Sequence, residues 1–349
     1  MLDFESLIIY SSALFISCFF AYFYDRYGNK WGLWGAFFCM AFFCATRYDV
    51  GFDYRGYVNI FNNIRDGYES YVEPGYYSLN YLFSHFDNGY LYVLGIMSVL
   101  TIGLLFHLYS RSHNLVWNIF FLFTFQFLFQ FNNQVRQGLA IVIFWWALQY
   151  LEKPKIGKYV ACILVGTLFH YTIAFFLLLI PLRKLQLSPY VWMTLIAGSF
   201  LISLTGIFEK IGNVILSHLP FYVKYLTYGN RIEAEAHTHV LIIFFWVCVS
   251  IIIALGHKHV RDKRMLNFYL LAMALYPIFV PYHLIERMLL YLMFLNGLLA
   301  ADISRKSYTL GGILFIIGLF IFTIYCLNNW GLSGGFPYYS VFGDHVILE

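Results

Sequence analysis

Charge is what this chain has least of. Only 11% of its 349 residues are Asp, Glu, Lys or Arg, and 22 basic against 18 acidic residues leave a net charge of +4. So small an excess, with its Lys and Arg residues in short loops, is a topology signal rather than a nucleic-acid footprint. Motifs are missing too. There is no Walker A sequence, no GxGxxG after a strand and no GxSxG. Neither an ATP-driven pump nor a soluble-type hydrolase is therefore supported. No HExxH occurs, and His218, His237 and His239 have no cysteine nearby, which argues against a metal site among them. The six cysteines form no CxxC pair and all fall in apolar runs, as buried or lipid-facing thiols do. The opening Met-Leu-Asp-Phe-Glu has no basic n-region, so the first apolar run is expected to stay as a helix. There is no internal repeat, and the loops are too short for a soluble domain.

What the chain does have is apolar length. It is 61% hydrophobic with a mean hydropathy of +0.68. Soluble domains are roughly half apolar at most. Repeated apolar runs of about 17–24 residues match the hydrocarbon core as helices, whereas barrel strands would alternate polar and apolar residues. The expectation is one all-α polytopic membrane domain over 1–349 with about 10–11 crossings. Helices are predicted over 6–24, 31–46, 90–110, 115–131, 135–151, 190–208, 240–255, 265–285, 286–302 and 309–327.

Two polar stretches interrupt this pattern. The loop 47–88 holds Arg47, Asp49, Asp53, Arg55, Arg65, Asp66, Glu69, Glu73 and Asp87. From Asp53 onward, Tyr54, Tyr57, Val58, Phe61 and Ile64 fall at helical spacing, and Gly67 can end that helix. Glu73-Pro74-Gly75 reads as a turn with Pro74 suited to a first helical position, and 76–86 is aromatic-rich. Two interfacial helices suit this stretch. The second polar loop is 209–239. Lys and Arg in the short turns want the cytoplasm, which puts both polar loops on the outer face. The turns on either side of 159–182 both want to be inside. A re-entrant hairpin turning near His170 resolves that conflict, and an ordinary crossing is the alternative.

Few residues could carry chemistry. Arg47 and Arg136 sit where an apolar helix meets the outer face, and Arg287 joins them there. A single arginine of this kind often snorkels to headgroups, but convergent guanidinium groups suit phosphate oxygens. Asp53, Glu73 and Asp49 are either solvated loop acids, ion-pair partners of those arginines, or a general base. His170 is either a satisfied core residue or, as an ionisable residue in a membrane run, a functional one.

Five stretches in order resemble the EpsG family of bacterial polysaccharide polymerases, which are related in role to the Wzy O-antigen polymerases. They are Arg47-Tyr48-Asp49-Val50-Gly51-Phe52-Asp53 with Tyr57 behind it; Glu73-Pro74-Gly75; Asn133 to Arg136-Gln137; Phe169-His170; and Glu286-Arg287 leading into Tyr291. Phe52 stands where the family usually has Thr, and Glu73 where it often has Asp, so both carboxylates are kept.

The resemblance implies a GT-C-like membrane fold and a metal-independent glycosyltransferase with no cofactor. Its expected substrates are oligosaccharide repeat units on undecaprenyl diphosphate. The growing chain would pass to the non-reducing end of the next unit on the outer face of the bacterial inner membrane. Expected partners are those lipid-linked units, membrane lipids, and a chain-length regulator and flippase of the same pathway. Arg47, Arg136, Gln137, Arg287, Tyr57 and Tyr291 are the expected diphosphate and sugar contacts, and Asp53, Glu73, His170 and Arg136 the expected catalytic set. Loop tyrosines, among them Tyr54, Tyr68, Tyr71, Tyr76 and Tyr77, could stack on pyranose rings or simply anchor at the interface. An O-antigen ligase, a lipid-oligosaccharide flippase and an integral-membrane acyltransferase are the rival readings.

Overall fold

The computed structural model describes residues 4–112, 114–151, 155–208, 210–211, 214, 236–280, 282–328, 334–335 and 337–343, with backbone alone at 236–239, 283–284 and 325–328. Nearly all of the second polar loop, with His218, Lys224, Arg231, Glu233 and Glu235, lies outside the described residues, as do the side chains of His237 and His239. Among the described residues there is no strand, only an isolated bridge between Arg47 and Ser340. The fold is therefore all-α, and its long apolar helices make it a multi-pass membrane protein.

The chain forms two compact units, Met1–Arg183 with Phe315–Glu349, and Lys184–Leu314. In the first unit, α1 (Phe4–Tyr27) and α2 (Lys30–Ala45) form a hairpin closed at Asn29, whose side chain accepts from the Trp31 N–H. Two short helices follow, α3 (Tyr54–Arg65) and α4 (Pro74–Phe83), as the loop's periodicity predicts. In α3, Tyr54, Tyr57, Phe61 and Ile64 are all buried, which is one face of a 3.6-residue period. Then come α5 (Gly89–Ser110), α6 (Leu115–Thr124), α7 (Phe127–Asn133) and α8 (Val135–Leu151). Packing runs from α1 to α2 and α6, from α2 to α5, and from α5 to α8. Asp25 ties the end of α1 to the start of α6 by accepting from Leu115 N and Val116 N, both at 2.9 Å.

One expected span is broken. The run 115–131 was expected as a single helix, but α6 and α7 meet at 64°. Gln126 takes a left-handed conformation there, with φ at 67°. Neither Gly nor Pro marks the site, so periodicity alone reads straight through it. Broken backbone at membrane depth requires a protein or wet lining, and both flanking phenylalanines, Phe125 and Phe127, are buried.

The run 159–182 folds back on itself. α9 (Ile156–Thr167) ends at Leu168, and a 3₁₀ segment (Tyr171–Leu178) continues into α10 (Leu179–Leu182). The Tyr159 hydroxyl donates to the Phe176 carbonyl at 2.7 Å. In a straight helix those two residues would be about 25 Å apart. The limbs are therefore antiparallel around a tip at Leu168–Phe169–His170, the hairpin that the charge pattern predicts.

A C-terminal strap completes this unit. Tyr48 N donates to Tyr339 O and Val341 N to Thr46 O, both at 2.8 Å. Tyr338 N donates to Ser6 Oγ, the Tyr338 hydroxyl donates to Phe43 O, and the Tyr338 ring stacks on Phe43.

The second unit contains α11 (Pro189–Ser203), α12 (Ala236–Leu255), α13 (Lys263–Phe279), α14 (His283–Met293) and α15 (Leu295–Lys306), and α16 (Tyr308–Asn328) begins in it. Asn267 on α13 accepts from Leu187 N and from Trp192 Nε1 of α11. Asp302 on α15 holds Arg261 through its backbone N–H and its guanidinium. The expected 265–285 helix ends earlier, at Phe279, and α14 starts at His283, so Glu286 and Arg287 lie one turn inside a helix. Pro281 itself lies outside the described residues. Four described helices are long and apolar enough to cross a membrane, and the bent pair makes five. Of the other expected crossings, 31–46, 190–208 and 309–327 correspond to shorter apolar helices, α2, α11 and most of α16.

Candidate functional site

The first unit gathers a charged cluster around Glu73. Glu73 is the residue before Pro74, which opens α4 with its fixed φ. Its side chain is buried, and both carboxylate oxygens are engaged. Arg136 Nη1 donates to Oε2 at 2.5 Å, and His170 Nδ1 faces Oε1 at 2.9 Å. The Tyr171 backbone N–H adds a longer contact to Oε1 at 3.4 Å. Three segments far apart in sequence thus meet on one carboxylate: the α4 cap, the first turn of α8 and the tip of the α9 hairpin.

Backbone contacts hold this arrangement. Gly75 N and Tyr76 N both donate to the Leu168 carbonyl, at 2.8 and 3.2 Å. Those are two of the N–H groups that a helix start leaves without an internal acceptor, and the hairpin tip satisfies them. The approach is close enough to need glycine, since a Cβ at position 75 would lie 2.8 Å from the Leu168 oxygen. Docking the tip on α4 is what brings His170 to Glu73.

Arg136 is framed by two rings. Its guanidinium carbon lies 5.8 Å from the Tyr57 ring centroid and 5.4 Å from that of Tyr76. The two rings meet edge to face at 6.0 Å. Cation–π attraction and the Glu73 pair both favour the cation there. Arg136 Nε is buried with no acceptor in reach among the described residues, so the fork keeps donor capacity beyond Glu73.

Electrostatics follow from these contacts. Burial pushes the Glu73 carboxyl up, but the hydrogen bond from His170 and the charge of Arg136 outweigh it and hold the group down at about 2. Glu73 is thus a carboxylate at any physiological pH. Burial drives the Tyr57 hydroxyl up to about 12 despite Arg136 beside it, so Tyr57 stays neutral. With Glu73 ionised, His170 must present Nδ1–H to it. The other ring nitrogen, Nε2, then points away from Glu73.

Other expected residues fall around this core. The loop 49–53 is fastened to the end of α7: Asp53 N donates to Asn133 Oδ1 at 2.8 Å. Gly51 makes this possible with φ at 108° and its backbone close against Asn133. Asp53 lies within electrostatic range of Tyr57. Arg47 is also near, in range of Tyr57 and Tyr76, but only 2% of it is exposed. Its Nη1 donates to Cys44 O and to Ser98 Oγ, while its Nε and Nη2 have no acceptor among the described residues. Asp49 pairs with Arg55 at the surface. Gln137 is buried in α8. Arg287 and Tyr291 lie in the second unit, on α14, and Tyr291 is fully buried.

Sequence reasoning passed over Tyr76, Asn133, Ser98 and the Leu168 carbonyl as parts of this site. Tyr76 was visible only as one of many loop tyrosines, and Asn133 only as the start of a motif. A backbone carbonyl has no sequence signature at all. Glu73 and His170 offer two metal-ligand atoms, and among the described residues no group of three or more His, Cys, Asp or Glu gathers in this cluster or elsewhere.

Comparison with known proteins adds a family. No curated protein and no solved structure matches the chain. The model of the EpsG family matches residues 30–340, a span that contains every member of the Glu73 cluster. The chain belongs to the EpsG family, whose members are Wzy-like polysaccharide polymerases.

Proposed function

We propose that the chain is a glycosyltransferase that polymerises lipid-linked oligosaccharide units at the outer face of the bacterial inner membrane. The observation that carries this reading is the Glu73–His170 pair beside Arg136, in a chain of this family. The donor is a growing glycan on undecaprenyl diphosphate, and the acceptor is the non-reducing end of the next lipid-linked unit. His170 Nε2 takes the proton from the acceptor hydroxyl. The acceptor oxygen bonds to the anomeric carbon, the bond from that carbon to the diphosphate oxygen breaks, and its electron pair leaves on the diphosphate. Glu73 holds the imidazole by Nδ1–H and stabilises the imidazolium as it forms. Arg136, with donor capacity left over, meets the diphosphate and offsets the charge that develops on it.

Within this scheme Glu73 positions the base and is not the base itself. A carboxyl held at about 2 and bonded on both oxygens is a poor proton acceptor near neutral pH. Asp53 is the alternative base. Arg47, already bonded to Ser98 and Cys44, supports the Tyr57–Tyr76 wall rather than the leaving group.

The test uses the purified chain in nanodiscs with the native undecaprenyl-diphosphate repeat unit, chelator and no nucleotide. A ladder of added units on a gel is the expected result. His170→Gln should abolish it, and Glu73→Gln should weaken it and shift the pH–rate profile. A normal ladder from His170→Gln would transfer the base role to Asp53. Single units that instead cross a liposome bilayer would replace the polymerase reading with a transporter. Arg287→Lys is the parallel test for the second unit's arginine.

A further inference from the structure

The loop's tyrosines divide sharply. Tyr54, Tyr57 and Tyr76 are buried, whereas Tyr68, Tyr71 and Tyr77 are 68%, 95% and 40% exposed. The exposed three line one cleft of about 360 Å³ together with Gly67, Glu69 and Ser70. Glu69 Oε2 accepts from the Tyr71 hydroxyl at 2.9 Å. Tyr77 extends the wall by stacking nearly parallel on Tyr81.

Three features say what such a cleft suits. Its lining carries a charge: Arg65 and Asp66, just before it in sequence, pair with each other at the surface, and Glu69 lines the cleft itself. A carboxylate in that position requires water rather than lipid. The walls nevertheless offer flat aromatic faces to that water, an arrangement that needs an occupant. Such an occupant must be polar at its rim and able to stack on its faces. A pyranose fits, because its ring C–H groups lie on tyrosine faces while its hydroxyls reach Glu69 and Ser70.

Location supplies the last argument. Residues 67–71 lead directly to Glu73, and Tyr77 is one helical turn beyond it, its N–H bonded to the Glu73 carbonyl at 2.8 Å. Tyr77, a wall of the cleft, therefore stands on the same helix start that follows the carboxylate-bearing Glu73. We propose that Tyr68, Tyr71 and Tyr77 with Glu69 form a glycan-binding subsite that holds sugars one or more residues away from the reacting bond. This subsite rests on the polymerase reading for the identity of its ligand. Its residues take no part in the proton transfer.

The experiment keeps the two ideas apart. The probe is a lipid-free oligosaccharide, prepared by cleaving the polymer of the native pathway to two repeat units. Its binding to the full chain in nanodiscs is measured by saturation-transfer NMR, and the gel ladder is run in parallel. Tyr71→Ala and Tyr77→Ala should each weaken oligosaccharide binding roughly tenfold, the size of one lost aromatic contact. Both should raise the KM for acceptor and shorten the products while leaving kcat nearly unchanged. Tyr71→Phe should retain binding, because the ring face and not the hydroxyl does the stacking. Tyr71 is almost wholly exposed, so its loss does not threaten folding.

A wild-type ladder with unchanged binding and product length in both alanine variants would overturn the subsite and leave the polymerase standing. Oligosaccharide binding that the variants lose, with no ladder from the wild type, would keep the subsite and remove the polymerase. Variants in which the loop 47–88 lifts from the bilayer surface, read by spin-label accessibility, with no change in oligosaccharide binding, would make these tyrosines interfacial anchors and overturn the proposal.

Discussion

At the scale of single residues, Glu73 carries the most consequence. Its folded-state value lies below the ordinary 4.5, so the stability it contributes is fully present above about pH 4.5 and is lost as pH falls through about 2. Acid titration of thermal unfolding should show this: the gap between the wild type and Glu73→Gln stays constant above pH 4.5 and closes toward pH 2. A gap that stays open down to pH 2 would show that Glu73 does not carry this dependence. Arg136 is the partner of Glu73 and, in the proposed mechanism, the donor to the leaving group. Arg136→Leu should cost about 3 kcal/mol, because it leaves a buried carboxylate with His170 alone. Arg136→Lys keeps a charge but loses the planar fork, so polymer formation should fall roughly a hundredfold at equal protein level. Near-normal polymer from that variant would remove Arg136 from the mechanism.

At the scale of elements, the hairpin tip against α4 sets the geometry of the site. Leu168 contributes only its carbonyl, yet that contact decides where His170 sits. Gly75→Ala places a methyl group 2.8 Å from the Leu168 oxygen and 2.9 Å from its Cβ, so the tip must move. The expected cost is about 1–3 kcal/mol in thermal unfolding. Activity should fall further than that loss of stability explains, because the tip carries the proposed base, His170. Wild-type melting and wild-type activity together in this variant would mean that the tip is free to adjust. The broken α6–α7 pair is the second such element, since it delivers Asn133 to the loop 49–53 and Arg136 to the following helix.

At the scale of the molecule, the Glu73 cluster lies wholly within the first unit, although its chain is interrupted by the 131 residues of the second, Lys184–Leu314. The C-terminal strap shows why the return matters. Residues 334–343 bond to Ser6, Tyr10, Phe43, Thr46, Tyr48 and Gly51, and so fix the start of the loop that leads to Asp53 and Tyr57. Each neutral hydrogen bond contributes about 1 kcal/mol net. Truncation after residue 333 should therefore lower the melting temperature clearly and impair polymer formation without touching a cluster residue. A truncated chain with full activity would show that the loop holds its place without the strap.

Much of this molecule was legible in the residue string. Apolar length sets the membrane class because the bilayer leaves helices few alternatives. The 3.6-residue period of Tyr54, Tyr57, Phe61 and Ile64 set α3, and Pro74 set the start of α4. The basic turns flanking 159–182 favoured a reversal near His170 over an ordinary crossing, and the chain does fold back there. Arg136, Glu73 and His170 each stood out as charge in an apolar setting. Their meeting did not. Glu73 lies 63 residues from Arg136 and 97 from His170, and local periodicity carries no information on pairing at that range. The bend at Gln126 had no Gly or Pro to announce it, and nothing in the string separates the buried Arg47 from the ring-framed Arg136. Those choices belong to tertiary structure, because burial, pairing and a left-handed backbone turn are decided by what packs against a residue and not by what precedes it.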